Sequence, residues 1–159
     1  TSGHFMGAAL TAILMGPLSA VLVLALVLSI QCLVFADGGI TALGTNILNM
    51  GIVGGFGAYG LFVAARAILP KRPSGYLAAV AVASWGSIVL ASAACAVELG
   101  LSGTYPLVAA LVPMVGVHAL IGMGEALITC VTVKLIMAGR PDLIATGGMP
   151  APATAMQES

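Results

Sequence analysis

Residues 1–36 carry no charged side chain. Gly16-Pro17 interrupts this apolar run, because proline has no N–H and its ring clashes with the preceding turn. Two pieces follow. Residues 4–15 form a helix reaching only about 18 Å, short of the roughly 30 Å hydrocarbon core of a bilayer. Residues 17–36 are long enough to cross, and they open with proline at a helix start, where it is tolerated. Asp37-Gly38-Gly39 ends that span. The next span covers 46–69, with Arg66 in its last turn. Pro70-Lys71-Arg72-Pro73-Ser74-Gly75 is a turn built of breakers and positive charge. Residues 76–97 give another span, ending at Glu98, and 100–106 a loop. The run 106–137 is too long for one untilted crossing, so Pro113 is expected to divide a short lead-in from a span of about 24 residues. The pattern predicts an all-α fold, a multi-span transmembrane helix bundle of five hydrophobic segments within residues 1–140. Residues 141–159 are polar and read as a disordered tail.

Composition agrees with the pattern. Charged residues are 6% of 159, against the roughly 25% of a soluble domain. Such a chain cannot clothe a globule in a water-compatible surface. An ordinary soluble enzyme and a disordered protein are thereby excluded. The formal net charge is zero, so no basic field draws in nucleic acid. Glycine is plentiful, at 21 residues, and aromatics are only 5%, which suits helices packed backbone to backbone. No signal peptide is legible, and the first residue is Thr1, so the chain reads as a fragment or a processed product.

The basic residues set an orientation. Arg66, Lys71, Arg72, Lys134 and Arg140 are all the Lys and Arg present, and all fall in the 66–72 turn or near the 134–140 end. Alternating spans put both on one side, which the positive-inside rule makes cytoplasmic, together with the C-terminus. The 37–45 and 98–106 loops then face outward. The short first piece starts recessed on the outward side, with His4 at its head.

Few polar residues remain inside the spans, and each needs a reason, because intramembrane ionisable groups are expensive and often functional. His4 sits in a first helical turn, where the helix dipole disfavours its protonated form; it is either a capping histidine or a neutral imidazole suited to a metal. His118 and Glu125 are seven residues apart on one helical face, with Gly122 and Gly124 between them. They serve either as interhelical hydrogen bonding or as a pair bordering a cavity. Asn46 and Asn49 share a face by their spacing of three, as helix glue or as a polar wall. Asp37 heads a Gly-Gly turn, where a solvated acid is the default, and Gln31 is unusual inside a span. Cys32, Cys95 and Cys130 lie in separate spans without ligand spacing and read as apolar fillers. The eight methionines are scattered, only Met6 lies close in sequence to a histidine, and no copper-type Met motif is present. His4, Asn46, Asn49 and His118 all fall in the outward half. A pocket with two imidazoles and few charges suits a borderline transition-metal cation better than Mg²⁺ or Ca²⁺.

Three stretches together resemble one family: Thr1-Ser2-Gly3-His4, residues 35–51 (FADGGITALGTNILNMG) and residues 116–129 (GVHALIGMGEALIT). They are similar to the substrate-capture component of cobalt and nickel energy-coupling-factor transporters, the CbiM/NikM type. The resemblance runs from Thr1 to about Leu143. It implies an integral membrane protein of about seven spans, two of them preceding Thr1, that binds Co²⁺ or Ni²⁺ from outside as transported substrate and uses no organic cofactor. The implied partners are a transmembrane coupling subunit, a pair of cytoplasmic ABC ATPases and a small accessory membrane subunit, all in the cell membrane. The histidine of the family's Ser-Gly-His motif is a metal ligand and maps onto His4. The remaining ligands, the terminal amine and a histidine at the second position, would lie upstream. His118, Asn46, Asn49, Glu125 and Asp37 would then orient ligands or line the cavity. With one expected ligand present, the 159-residue chain is expected not to bind Ni²⁺ or Co²⁺ tightly. No Gly-x-x-x-x-Gly-Lys-[Ser/Thr] phosphate loop is present, so ATP hydrolysis belongs to other subunits and the chain is not an enzyme. Alternatives are a structural membrane subunit whose polar residues are helix glue, and a capture component for an organic vitamin, against which the scarcity of aromatics argues.

Overall fold

The computed structural model describes residues 6–144, and within them every regular element is a helix. A short helix α1 (Ala8–Met15) leads directly into α2 (Pro17–Val34). The break is made as the sequence dictates: Gly16 adopts φ +88°, open only to glycine, and Pro17 occupies the first turn of α2. The chain then climbs back as one composite helix, Ile40–Ile68. It opens with a 3₁₀ turn (Ile40–Ala42) and α3 (Leu43–Asn46), widens to a π-helical segment (Ile47–Val53) and continues as α4 (Gly54–Ile68). Helices α5 (Pro73–Leu101) and α6 (Leu107–Gly139) follow. A last 3₁₀ turn spans Pro141–Leu143, beside which Arg140 pairs with Asp142 at 2.8 Å. The Arg140 guanidinium holds the exposed Asp142 carboxyl below its ordinary range.

Four helices, α2, the composite Ile40–Ile68, α5 and α6, are long and apolar enough to cross a membrane. Several expectations need correction. The short helix placed at 4–15 begins at Ala8, after Gly7 in the left-handed region, and the span placed at 76–97 runs from Pro73 to Leu101. The span placed at 46–69 begins at Ile40, so the connecting turn is shorter than 37–45. Pro113 does not divide the last segment, because α6 runs unbroken through it. Proline there removes one N–H near the start of a 33-residue helix, and the remaining ladder carries the axis through.

Packing is by small residues near α1 and by larger ones below it. Ala9 and Ala12 meet Ala20 and Ala58 in one buried cluster. A Cβ built on Gly55 would touch Ala20, and one on Gly54 would touch Ala8. The small-residue spacings Ala8-xxx-Ala12 and Gly51-xxx-Gly55 thus serve contacts within the bundle. Toward the basic end, Ile13, Phe62, Tyr76, Val80 and Val133 form a second cluster, with Phe62 edge-on to Tyr76 at 5.3 Å. The Arg66 guanidinium lies 5.4 Å from the Tyr76 ring centre. Along α2, Ala20, Leu24, Leu28 and Cys32 are buried, whereas Leu18, Leu22, Leu26 and Ile30 are exposed. Both faces are apolar, so the outer one calls for hydrocarbon or protein rather than water.

Candidate functional site

The helices meet unequally at the two ends of the bundle. All five Lys and Arg residues lie at one end. At the other, α1 is absent from the section, because it starts halfway along α6. The carboxylate of Glu125 marks that level. It accepts backbone hydrogen bonds from Met6 N–H at 2.6 Å and Gly7 N–H at 3.0 Å. Glu125 is only 2% exposed, so these two donors, at the positive end of α1, are what make a buried carboxylate tolerable.

Above this floor lies a chamber of about 460 Å³. Its walls include Met6, Gln31 of α2, Asp37 and Gly38 of the turn, Asn46 and Asn49 of the composite helix, and His118 of α6. The sequence-predicted residues distribute as follows. His118 is half-buried in the wall, and its Nδ1 donates to the Met114 carbonyl at 2.7 Å. A carbonyl only accepts, so Nδ1 is the donor in this contact, and Nε2 is the ring nitrogen not engaged by it. Asn46 and Asn49 both line the chamber. Asn49 is buried; its Nδ2 donates to Glu98 Oε2 at 2.8 Å, while its Oδ1 has no hydrogen-bond partner among the described residues. Asp37 is half-buried in the chamber wall rather than free in a solvated turn. Glu125 does not line the chamber but ties α1 to α6 beneath it. His4 lies outside the described residues.

Asn46 ends α3, just before the π-helical segment that holds Asn49, and both reach the same chamber. Asn49 turns inward to Glu98, and Asn46 lies over the turn. Gly38 suits the turn because its φ of +89° is strained for any side chain, and it lets Asn46 Nδ2 come close over it.

Sequence reasoning missed Glu98, read as the marker of a span's end; it is half-buried within α5 and holds Asn49. It also missed Met6, Met50, Met114 and Cys95, which the fold brings from the segment before α1, the π-helical segment, α6 and α5 to the lining of one chamber. Among the described residues no group of three His, Cys, Asp or Glu is placed to hold a metal ion.

The chamber end holds acids without basic residues. Such separation of charge favours approach of a cation.

The family described as "Cobalt uptake substrate-specific transmembrane region" matches residues 1–143. A protein of Archaeoglobus fulgidus, provisionally named fused nickel transport protein NikMN, is 46% identical over 91% of this chain and 48% of its own length. The cobalt transport protein CbiM of Sorangium cellulosum is 35% identical over 91% of this chain and 65% of its own length. A crystal structure of a transition metal transporter superposes with a TM-score of 0.79 at 33% identity, covering 87% of this chain and 65% of that one. The chain thus spans about half to two-thirds of the length of these relatives.

Proposed function

Because the chain belongs to the family of cobalt-uptake substrate-specific transmembrane regions, we propose that it is the metal-capturing membrane part of an energy-coupling-factor transporter for Co²⁺ or Ni²⁺. The observation that carries this reading is the chamber: a mostly apolar cavity at the end of the bundle that lacks Lys and Arg, into whose wall His118, Asn46, Asn49 and Asp37 bring polar groups. In this reading the chamber opens outward and the basic end, with the tail 141–159, is cytoplasmic. The cation is drawn in by the acids and ligated by His4. The terminal amine and a second-position histidine of the full-length protein, carried over from the family resemblance, complete a nitrogen site. His118 and the asparagines line the path and orient those ligands. Glu125 fixes the level at which the chain before α1 begins. Nitrogen ligands must be unprotonated, so capture weakens as pH falls.

Release requires work from outside the chain. A transmembrane coupling subunit, a pair of cytoplasmic ABC ATPases and a small accessory membrane subunit supply it, tilting or distorting the bundle with ATP hydrolysed elsewhere. The test is His4→Ala in the full-length protein with its partners, read as uptake of radioactive Ni²⁺ or Co²⁺ into cells. Uptake is expected to fall to background. Unchanged uptake would overturn the assignment.

A further inference from the structure

The backbone just before α1 is held more firmly than the packing of that helix requires. The body of α1 is already seated, with Ala9 and Ala12 buried against Ala20 of α2 and Ala58 of α4. Glu125 of α6 acts elsewhere, on the two peptides that precede the helix. Its Oε2 accepts from the Met6 N–H at 2.6 Å and its Oε1 from the Gly7 N–H at 3.0 Å. One bond fixes a distance. Two bonds, from successive peptides to the two oxygens of one carboxylate, also fix a direction. The same residues are held from other sides. The Gly7 carbonyl accepts from the Thr11 N–H at 3.0 Å and from the Thr11 hydroxyl at 2.8 Å. Gly7 sits at φ +68°, a conformation that strains any side chain. The Met6 side chain lies against Gly54, where a Cβ would stand 3.2 Å from Met6 Cε. Met6 also lines the chamber, so this fixed point is at the chamber wall. We infer that Glu125 is a positioning residue for metal capture: by clasping the peptides of Met6 and Gly7 it sets where, and at what angle, the segment carrying His4 is presented to the chamber.

This role rests on the reading of His4 as a metal ligand, and it belongs to a residue that acts through the main chain rather than on the metal. The chain from residue 4 to residue 6 spans at most about 7 Å, so a hold on Met6 limits what lies upstream. A metal site needs its ligands within about 0.5 Å of the productive geometry. Unfixed backbone does not supply that, because each free residue keeps its own conformational range. Keeping α1 in the bundle would need only an apolar residue at 125, without the cost of burying a carboxylate. Aiming a main chain needs acceptors, which an apolar residue lacks. The acceptor is itself well supported, since α6 is continuous through Glu125.

The experiment uses the full-length protein in detergent, titrated with Ni²⁺ against a competing chelator while the ligand-field absorption of the bound ion is recorded. Glu125→Ala is expected to weaken Ni²⁺ binding at least roughly tenfold, as removal of a group that orients a metal ligand does, and to shift the absorption band. Glu125→Gln, which keeps one acceptor oxygen, is expected to restore part of the affinity. Phe62→Leu, in the buried cluster at the basic end, is the destabilised control. It is expected to bind Ni²⁺ as the parent does, with the same band, because lost stability alone does not move a ligand. Parent affinity and band in Glu125→Ala, or an equal loss in Phe62→Leu, would overturn the positioning role. Should Glu125→Ala fail to fold by circular dichroism, Glu125→Gln decides: weaker binding with a shifted band supports the role, and parent behaviour refutes it. His4→Ala separates this role from the reading beneath it. If His4→Ala abolishes binding while the Glu125 variants bind as the parent, only the positioning role fails. If His4→Ala itself binds as the parent, the ligand assignment fails and the positioning role with it.

Discussion

Glu125 shows how much one residue does here that its sequence neighbourhood does not announce. Its spacing from His118 places both on one face of α6, yet their tasks diverge. His118 faces the chamber, and Glu125 holds the backbone of Met6 and Gly7. No periodicity in α6 encodes a contact with a segment 119 residues away. Replacing Glu125 with Ala leaves two inward N–H groups without acceptors, and hydrogen bonds to a charged group are worth about 1.5–3 kcal/mol each. Glu125→Ala is expected to lose about 3 kcal/mol in denaturant unfolding in detergent, and Glu125→Gln, which keeps one good acceptor, roughly half of that. Equal stability of all three proteins would show that the carboxylate does not fasten α1. Asp37 makes the complementary point. A residue that reads as a solvated turn acid becomes part of a wall because positive φ at Ala36, Gly38 and Gly39 folds the turn back over the bundle.

At the scale of elements, the spans were legible because lipid-compatible helices are written as uninterrupted apolar runs, and because Gly16-Pro17 and the 70–75 turn are unambiguous breakers. The departures share a cause: local rules assume a regular helix. Pro113 reads as a divider, yet a single missing N–H does not end a long helix. The Asn46–Asn49 spacing reads as one face, and both residues do line one chamber, although the helix there is widened to a π-helical segment that the spacing does not announce. The α5–α6 seam illustrates a contact that small residues permit. The Trp85 Nε1–H donates to the Ala119 carbonyl at 3.0 Å, and a Cβ on Gly122 would stand 3.0 Å from Trp85 Cδ1. Gly122→Val is therefore expected to overpack the seam, at about 1–3 kcal/mol. Trp85 is the single tryptophan, so its fluorescence should shift in the variant. An unmoved spectrum and unchanged stability would mean that the seam is looser than its distances indicate.

For the whole molecule, the segregation of charge was visible in the sequence, whereas the convergence of Met6, Met50, Cys95 and Met114 was not. Charge positions report topology directly, but scattered methionines meet only once the helices are assembled. The proposed orientation has a direct readout. In a background with the three cysteines replaced, Ser102→Cys lies at the chamber end and Ser74→Cys at the basic end. A membrane-impermeant thiol reagent added to intact cells is expected to label the first and not the second. The reverse pattern would invert the bundle.

The short length of α1 has a consequence for how the bundle is fastened. Eight residues give about 12 Å of helix, so one half of the bundle is a helix richer than the other. The two halves meet at Glu125, whose carboxylate accepts from the backbone of Met6 and Gly7. That single side chain therefore sets the height at which the denser half begins.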